Sequence, residues 1–258
     1  MRRFLAFLPA SGTRYRIHSP FLYDLVDTVI VKSGMQGELR PVERLRQKYL
    51  RDRQAIIKTD YGKGSGSKDY VTYSIPVSRL ARTSLTTRRH ALRLYHLARY
   101  LKASRILEMG TSLGFTTAYL AKANAKAQVV SLEGCPVLSG IARKNLEELG
   151  VRNTEIIQGR FEDRIGDALD RLGELDLVFL DGDHRKESVL ANFERCRPYL
   201  HNNSVVVIDD IHYSRGMEEA WEIIISRGDV TVSLDFFHSG WIFFRKESSK
   251  EHFRLRYL

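Results

Sequence analysis

Acidic side chains stand at the ends of several short apolar segments of this chain. Glu108 and Glu133 end two such segments, Asp181 ends a third, and Asp209 and Asp210 end a fourth. Carboxylates can transfer protons, accept hydrogen bonds from hydroxyl groups or hold a hard cation. Packing alone does not explain their recurrence at the ends of successive predicted strands. The pattern predicts a binding site at the carboxyl edge of a sheet.

A glycine turn follows the first of these carboxylates, in the stretch ILEMGTSLGF at residues 106–115. Gly110 and Gly114 bracket a turn between a strand and a helix, and glycine lets the backbone adopt unusual angles and approach a ligand closely. A dinucleotide-binding fingerprint would need glycine where Ser112 and Phe115 stand. The remaining pattern favours a cationic or hydroxyl-rich ligand over a phosphate. The alternative at this point is an ordinary strand-to-helix turn.

Alternating strands and helices would position these residues. Continuous apolar runs predict parallel strands buried on both faces, and segments with helical periodicity lie between them. The last two strands are joined through His238, Ser239 and Gly240 as a hairpin, which makes the final strand antiparallel. The order predicts an α/β fold with a doubly wound, Rossmann-like, seven-stranded sheet. The strands after the one that ends near Glu108 are predicted at 128–133, 154–158, 175–181, 204–210, 230–237 and 241–245.

The sequence pattern predicts a helical extension over residues 1–85. Residues 86–258 are predicted to form the main domain. Ser19 can cap one helix, and a second begins at Pro41. The segment 59–69, TDYGKGSGSKD, lacks the ending of a phosphate-binding loop and is interpreted as a linker or an active-site lid.

A third helix, over residues 86–101, is expected to lead into the sheet. It carries His90 and His96, whose spacing of six residues does not suit a metal pair on one helix face. Both are interpreted as surface or packing residues.

Positive charge is concentrated in the front of the chain. Residues 1–105 carry 22 Lys and Arg against 7 Asp and Glu, whereas residues 106–258 carry 19 against 24. Such a basic segment can contact nucleic acid. However, its basic residues are scattered through amphipathic patterns, which favours the interpretation that they lie on solvated helix faces. No segment is long enough to span a membrane, and the first residues do not fit a secretion signal. The two cysteines, Cys135 and Cys196, fit a reducing compartment, so the predicted location is the cytoplasm.

Five motifs in this order, ILEMGTSLGF, SLEGCP, QGRFED, VFLDGDH and VVVIDD, resemble the class I S-adenosylmethionine-dependent methyltransferases. Within that class they are similar to the catechol-type O-methyltransferases and their DGDH-bearing relatives. The resemblance covers roughly residues 86–245 and implies S-adenosylmethionine as the cofactor. Glu133 also lies 19 residues beyond Gly114, where a carboxylate binds ribose hydroxyls. The implied cofactor-binding residues are Glu108, Gly110, Ser112, Gly114, Glu133, Arg160, Phe161 and Asp181.

The resemblance also implies a catalytic apparatus. In the catechol-type enzymes, carboxylates at the ends of the fourth and fifth strands hold a divalent cation, and Asp181, Asp209 and Asp210 match those positions. Mg²⁺ would suit such an all-oxygen site. In the alternative, Asp209 caps the next helix and Asp181 contacts the cofactor. His184 stands where these enzymes carry a proton-accepting lysine, so it is the predicted catalytic base together with Asp181, and His212 is a second candidate.

The leading interpretation is therefore a soluble O-methyltransferase for a small hydroxylated molecule, with no membrane contact. One alternative is an RNA methyltransferase that uses the basic front, although no RNA-binding module is evident. Another is a non-catalytic module that binds the cofactor. A homodimer is an open option for the assembly.

Overall fold

An eight-stranded sheet lies at the centre of the computed structural model, which describes residues 2–31, 34–61 and 70–256. Its strands are β3 (Arg105–Met109), β4 (Gln128–Glu133), β5 (Thr154–Gln158), β6 (Leu175–Leu180), β7 (Leu200–Asp209), β8 (Val232–Asp235), β9 (Ser239–Phe243) and β10 (Glu251–Arg254). Two further strands, β1 (Ala55–Asp60) and β2 (Val71–Pro76), form a separate antiparallel pair.

The helices pack on both faces of the sheet. They are α1 (Arg2–Ala10), α2 (Pro20–Leu25), α3 (Arg40–Tyr49), α4 (Val77–Thr83), α5 (Arg88–Tyr100), α6 (Phe115–Ala123), α7 (Pro136–Glu148), α8 (Phe161–Leu172), α9 (Lys186–Cys196) and α10 (Arg215–Ser226). Short 3-10 turns at Arg14–Arg16, Gly37–Leu39 and Arg197–Tyr199 and a π-helical turn at Val26–Val31 complete the helical structure. No described helix combines the length and apolar character needed to cross a membrane.

The strand order is β10-β8-β9-β7-β6-β3-β4-β5. Strands β3 to β7 are parallel, and β9 pairs antiparallel with both β7 and β8. This confirms the doubly wound α/β fold with an antiparallel β9. The seven predicted strands are extended by β10, which pairs parallel with β8 at the sheet edge. Strand β10 was not among the predicted strands because it is only four residues long and half exposed.

Two apolar layers result from the alternation of side chains along the strands. One face of the sheet packs against α5, α6 and α7, and the opposite face packs against α8, α9 and α10. The first layer also contains Ile17, Leu22 and Val42 from the N-terminal extension, together with Ile106 of β3. The extension therefore shares its core with the main sheet, on both sides of the predicted boundary at residue 86.

The N-terminal extension contains the predicted helices and additional elements. Ser19 caps α2 by accepting a hydrogen bond from the amide of Leu22 at 3.5 Å, as expected. The sequence analysis did not predict α1, α4 or the β1–β2 pair. Within the predicted lid, Thr59 and Asp60 end β1, whereas residues 62–69 lie outside the described residues.

Strand direction gathers distant parts of the chain at one edge. The carboxyl ends of β3 to β7 meet there, and β8 and β10 run in the same direction. Helix α5 precedes β3, and its first turn reaches the same edge, since the Thr86 hydroxyl donates to Asp181 Oδ2 at 3.1 Å. The edge thus joins the start of α5, the strand ends and the residues that follow β10.

Candidate active site

A cavity of about 1040 Å³ opens at the carboxyl edge of the sheet. Its walls come from the turn after β3, the ends of β4, β6 and β7, the start of α5, the end of β1 and the helix α1. The predicted site residues that line it are Gly110, Ser112, Glu133, Arg160, Phe161, Asp181, His184, Asp209 and Asp210. The structure therefore brings most of the predicted residues together around one space.

The turn after β3 depends on Gly110. Its φ of +113° favours glycine, and a Cβ at this position would overlap the backbone carbonyl of Asp181. Ser112 also has a positive φ, of 49°, and its amide donates to Glu133 Oε2 at 2.7 Å. The turn is thereby held against the ends of both β6 and β4.

Glu133 is a buried carboxylate at the cavity wall. Oε2 accepts from the Ser112 amide, and Oε1 accepts from the Cys135 amide at 2.9 Å. Burial raises the pKa of Glu133 to about 7, although both amide hydrogen bonds oppose the shift. The side chain is fixed in place, and each carboxylate oxygen keeps a second lone pair for a ligand hydroxyl.

Glu108 and Gly114 do not line the cavity. The carboxylate of Glu108 is fully buried and accepts hydrogen bonds from the hydroxyls of Thr117 and Ser131. Burial raises its pKa to about 8. Gly114, with φ +79°, precedes α6 and packs against Ala142. These two residues support the turn from behind.

The adenine-side residues expected from the resemblance, Arg160 and Phe161, meet a tyrosine from the front of the chain. Phe161 packs against Gly182 so closely that a Cβ there would lie 2.6 Å from its ring. The Arg160 guanidinium lies 5.8 Å from the centre of the Tyr61 ring, which itself covers Gly134. Sequence reasoning missed Tyr61 because nothing in its local pattern connects it to the sheet.

The three acidic residues assigned to a cation do not converge on one point. Among the described residues, no group of three or more His, Cys, Asp or Glu side chains is arranged to hold a metal ion. Asp181 and Asp209 are partly buried and interact with each other, and burial raises the pKa of both. Asp210 has φ +53°, and its side chain is 41% exposed. Two of the carboxyl groups therefore face each other while the third turns towards solvent.

His184 lies beside Asp210 in the cavity wall. Its Nε2 is 3.9 Å from Asp210 Oδ2, and its ring centre is 5.7 Å from that of Tyr213. The imidazole is partly exposed and is positioned to contact a ligand and exchange a proton with it.

His90 is buried beside Phe179, in agreement with the packing alternative, and it also lines the cavity, which the sequence did not indicate. It is buried, its Nδ1 lies 3.4 Å from Asp209 Oδ1, and its Nε2 has no hydrogen-bond partner in the described part of the chain. Burial lowers its pKa to about 3, and the charges of Arg93 and His238 act in the same direction. His90 is thus a neutral imidazole.

His212, the second candidate base, is engaged elsewhere. Its Nε2 lies 2.9 Å from Asp235 Oδ2 and its Nδ1 lies 3.1 Å from Glu218 Oε1. Burial alone would lower its pKa, but the interactions with Asp235 and Glu218 raise it. With both ring nitrogens occupied and the ring stacked on Phe237, His212 stabilises the end of β8.

Aromatic side chains of α1 close the far end of the cavity. Phe4 stacks on His238 with ring centres 6.5 Å apart, and both Phe4 and Phe7 contact Phe237 edge-on. Phe4 and Phe7 line the cavity together with Phe236. This end is therefore more apolar than the wall formed by the strand ends.

Comparison with known proteins agrees with this geometry. Residues 107–211 match a family described as a methyltransferase domain. The match covers less than half of the chain, and over that range the chain is similar to this family. The catechol O-methyltransferase of Mycobacterium tuberculosis is 37% identical over 121 residues, which cover 45% of this chain and 51% of that protein. The catechol O-methyltransferase of Niastella koreensis is 32% identical over 96 residues, or 34% and 41% of the two chains.

The chain spans about half or less of the length of these curated relatives. Solved structures cover more of it. The O-methyltransferase TomG from Streptomyces achromogenes, in complex with SAM, superposes with a TM-score of 0.56 at 25% identity over 63% of this chain and 82% of that one. An O-methyltransferase from Bacillus cereus, in complex with SAH, has a TM-score of 0.58 at 18% identity. The match covers 85% of this chain and 96% of that one. The latter likeness concerns the fold alone.

The methyltransferase domain accounts for one part of the cavity only. Gly110, Glu133 and His184 lie inside the matched range, as do the strand-end aspartates. Tyr61, His90 and the α1 phenylalanines lie outside it. The remaining walls therefore come from segments before and after the matched range.

Proposed function

We propose that the chain is an S-adenosylmethionine-dependent O-methyltransferase that acts on a small hydroxylated molecule. The observation that carries the proposal is the single cavity that joins the β3 turn and Glu133 to His184. The match to catechol O-methyltransferases and the SAM bound to TomG support the choice of reaction and cofactor. The unpaired, buried Cys135 and Cys196 fit a cytoplasmic location.

The residues of the β3 turn and the end of β4 suit S-adenosylmethionine. Glu133 would accept the ribose hydroxyls, and its orientation is already fixed by the amides of Ser112 and Cys135. Gly110 and Ser112 would border the methionine part, and Phe161, Arg160 and Tyr61 would enclose the adenine. When bound, the cofactor supplies a methyl group attached to a positively charged sulfur. The protein's task is then to align an acceptor oxygen with that group.

His184 is the proposed base. It lines the cavity, is partly exposed and has Asp210 close to Nε2, where a carboxylate can stabilise the imidazolium that forms after proton transfer. His90 suits this role less, because an imidazole whose pKa is lowered to about 3 is a weak proton acceptor near neutral pH. Asp181, held by Thr86, would position the end of β6 beside the cofactor.

The carboxylates do not fit the divalent cation that the resemblance implies. Among the described residues, no three such side chains are grouped to hold a metal ion, and the Asp210 side chain is 41% exposed. Mg²⁺ prefers nearly ideal octahedral oxygen ligands. No step of the proposed mechanism passes through a metal ion.

Two measurements test the proposal. Calorimetry with S-adenosylmethionine should show binding that Glu133→Ala weakens by more than tenfold, because two ligand hydroxyls lose a buried acceptor. Glu222→Ala, on the exposed side of α10, is the matched control. Formation of S-adenosylhomocysteine in the presence of catechol tests turnover.

A protein that binds the cofactor but methylates no hydroxylated compound would contradict the enzymatic part of the proposal and favour the non-catalytic module. Absence of cofactor binding would reject the proposal as a whole. No structural observation favours RNA as the substrate.

A further inference from the structure

We infer that the methyl acceptor carries an anionic substituent, which binds Arg89 and Arg256 at the mouth of the cavity. The inference rests on the proposed function and specifies its substrate class: a hydroxylated aromatic compound with a negatively charged group. Both arginines line the cavity, and both are exposed.

The sheet topology explains why these two residues, 167 positions apart, share the cavity. Arg89 is in the first turn of α5, next to Thr86, which contacts Asp181 at the end of β6. Arg256 follows β10, whose carboxyl end lies at the same edge because β10 runs parallel to β8. Its amide donates to the Gly12 carbonyl at 2.9 Å, which ties it to the segment after α1.

Arg89 and Arg256 line the cavity and have no acidic partner within residues 2–31, 34–61 and 70–256. In contrast, Lys58 lies 3.3 Å from Asp60, and Arg185 pairs with Asp183. Arg160 likewise donates to Glu162. The two unpaired guanidinium groups are therefore available to a ligand, and guanidinium binds carboxylates in a bidentate manner.

The start of α5 concentrates positive charge where a helix ordinarily favours negative charge. Its first turn has no acidic residue, and it carries Arg88 and Arg89 at the positive end of the helix dipole. His90, in the same turn, lines the cavity and is nine-tenths buried, and its Nε2 has no hydrogen-bond partner in the described part of the chain. A ligand with a negative group would complement the positive charge at the start of this helix.

The carboxylates fix the orientation of such a ligand. Asp181, Asp209 and Asp210 occupy the strand-end wall, where the partly exposed Asp210 carboxylate would repel an anionic group. The acceptor hydroxyl therefore points to that wall and to His184, and the anionic group points to the arginines. Phe4, Phe7 and Phe236 line the same cavity and supply apolar surface for an aromatic ring.

Binding measurements with three probes test the inference without requiring turnover. With S-adenosylhomocysteine present, calorimetry compares 3,4-dihydroxybenzoate, catechol and dopamine, which share a ring and two hydroxyls but are anionic, neutral and cationic. We expect the anion to bind about tenfold more tightly than catechol, and dopamine to bind most weakly, because a hydrogen-bonded charged pair is worth about this factor.

Substitutions assign the preference to the named residues. The measured quantity is the affinity for 3,4-dihydroxybenzoate divided by the affinity for catechol. Arg89→Gln and Arg256→Gln should each reduce this ratio by about threefold to tenfold, whereas Arg89→Lys should keep most of it. Arg88→Gln is the matched control, because the adjacent Arg88 turns towards Glu43, 4.0 Å away, and does not line the cavity. Its ratio should equal that of the wild type.

Several results would overturn the inference. They are equal binding of the three probes, no binding of the anion, or a ratio that Arg89→Gln and Arg88→Gln change alike. Turnover is measured separately, so a chain that binds the anion selectively but transfers no methyl group would reject the proposed function and leave the anion site established.

Discussion

The two ends of the cavity are built in different ways. The proposed cofactor end comes from neighbouring strands of one domain, and its polar groups are fixed by backbone contacts, such as the Ser112 and Cys135 amides on Glu133. The proposed acceptor end combines α1, the start of α5, the β8–β9 turn and the segment after β10. Some of its side chains are held by aromatic packing, such as that of Phe4 and Phe7 against Phe237. Others, such as Arg89 and Arg256, are exposed.

This difference suggests a division of roles. A rigid, hydrogen-bonded end suits a ligand that does not vary, since its geometry is set before binding. An end assembled from both ends of the chain can change in shape and charge while the sheet remains the same. We therefore expect substitutions at the two ends to separate cofactor binding from acceptor binding and turnover.

The largest expected effect is the loss of turnover in His184→Asn. Removing a general base typically costs a factor of about 10² to 10⁴ in rate. The value of kcat should fall by that factor, while the Kd for S-adenosylmethionine, measured by calorimetry, should change less than threefold. The substitution would thus break the acceptor end and leave the cofactor end intact.

His96→Asn is the control for this variant. His96 is on the same chain segment as His90 but contacts the carbonyl of Gly34 outside the cavity, at 2.8 Å. If His184→Asn retained full activity while His90→Asn lost it, the base would be His90.

The arrangement of the proposed cofactor end could be predicted from the sequence because its determinants are local. The strand, glycine turn and helix at 106–115 and the carboxylate ending β4 are each specified within about ten residues. Parallel strand direction then brings their ends together. The same logic predicted the α/β sheet and the antiparallel β9, but it missed β10, whose four residues carry almost no periodic pattern.

The acceptor end could not be predicted in this way, because its contacts join residues far apart in sequence. Phe4 meets His238, and Arg256 lies at the same cavity as Arg89. His90 shows the limit most clearly: its spacing from His96 was informative about metal pairs, but only the packing of α5 against the strand ends places it beside Asp209.

The second prediction concerns the cofactor end alone. Gly110→Ala should destabilise the protein by about 3 kcal/mol, because the added Cβ overlaps the Asp181 carbonyl and φ is +113°. The variant that remains folded should bind S-adenosylmethionine more than tenfold more weakly. Urea denaturation and calorimetry measure the two effects.

Gly140→Ala is the matched control for the glycine turn. Gly140 lies within α7, and a Cβ there would meet nothing within 4 Å. Alanine is favoured over glycine in a helix, so this variant should be unchanged or more stable by about 0.5 to 1 kcal/mol. Equal stability of the two variants would show that the turn tolerates a side chain.

The third prediction concerns the support behind the turn. Burial raises the pKa of Glu108 from its ordinary value of 4.5 to about 8. The folded state therefore holds the proton more tightly than the unfolded state, so this contribution to stability is complete below about pH 4.5 and is lost as the pH rises through 8. Glu108→Gln does not titrate. Between pH 5.5 and 8.5, the wild type should lose on the order of 3 kcal/mol more unfolding free energy than the variant.

Urea denaturation at the two pH values measures this difference, with Glu222→Gln as an exposed control on α10. The other buried carboxyl groups with raised pKa, such as Glu133, remain in both proteins, so the comparison isolates residue 108. Parallel pH profiles for the wild type and Glu108→Gln would show that Glu108 is ionised in the folded protein despite its burial.

The smallest expected effect is that of chelation. Among the described residues, no three acidic or histidine side chains are grouped to hold a metal ion, so the proposed transfer uses His184 and alignment rather than a shared cation. Methyl transfer to catechol in EDTA should stay within twofold of the rate in Mg²⁺. A loss of more than tenfold, reversed by added Mg²⁺, would show that the three carboxylates rearrange around a cation when the acceptor binds. In that case the acceptor end would become ordered only when its ligand binds, whereas the cofactor end is already ordered. The two ends would then differ in preorganisation as well as in the chain segments that form them.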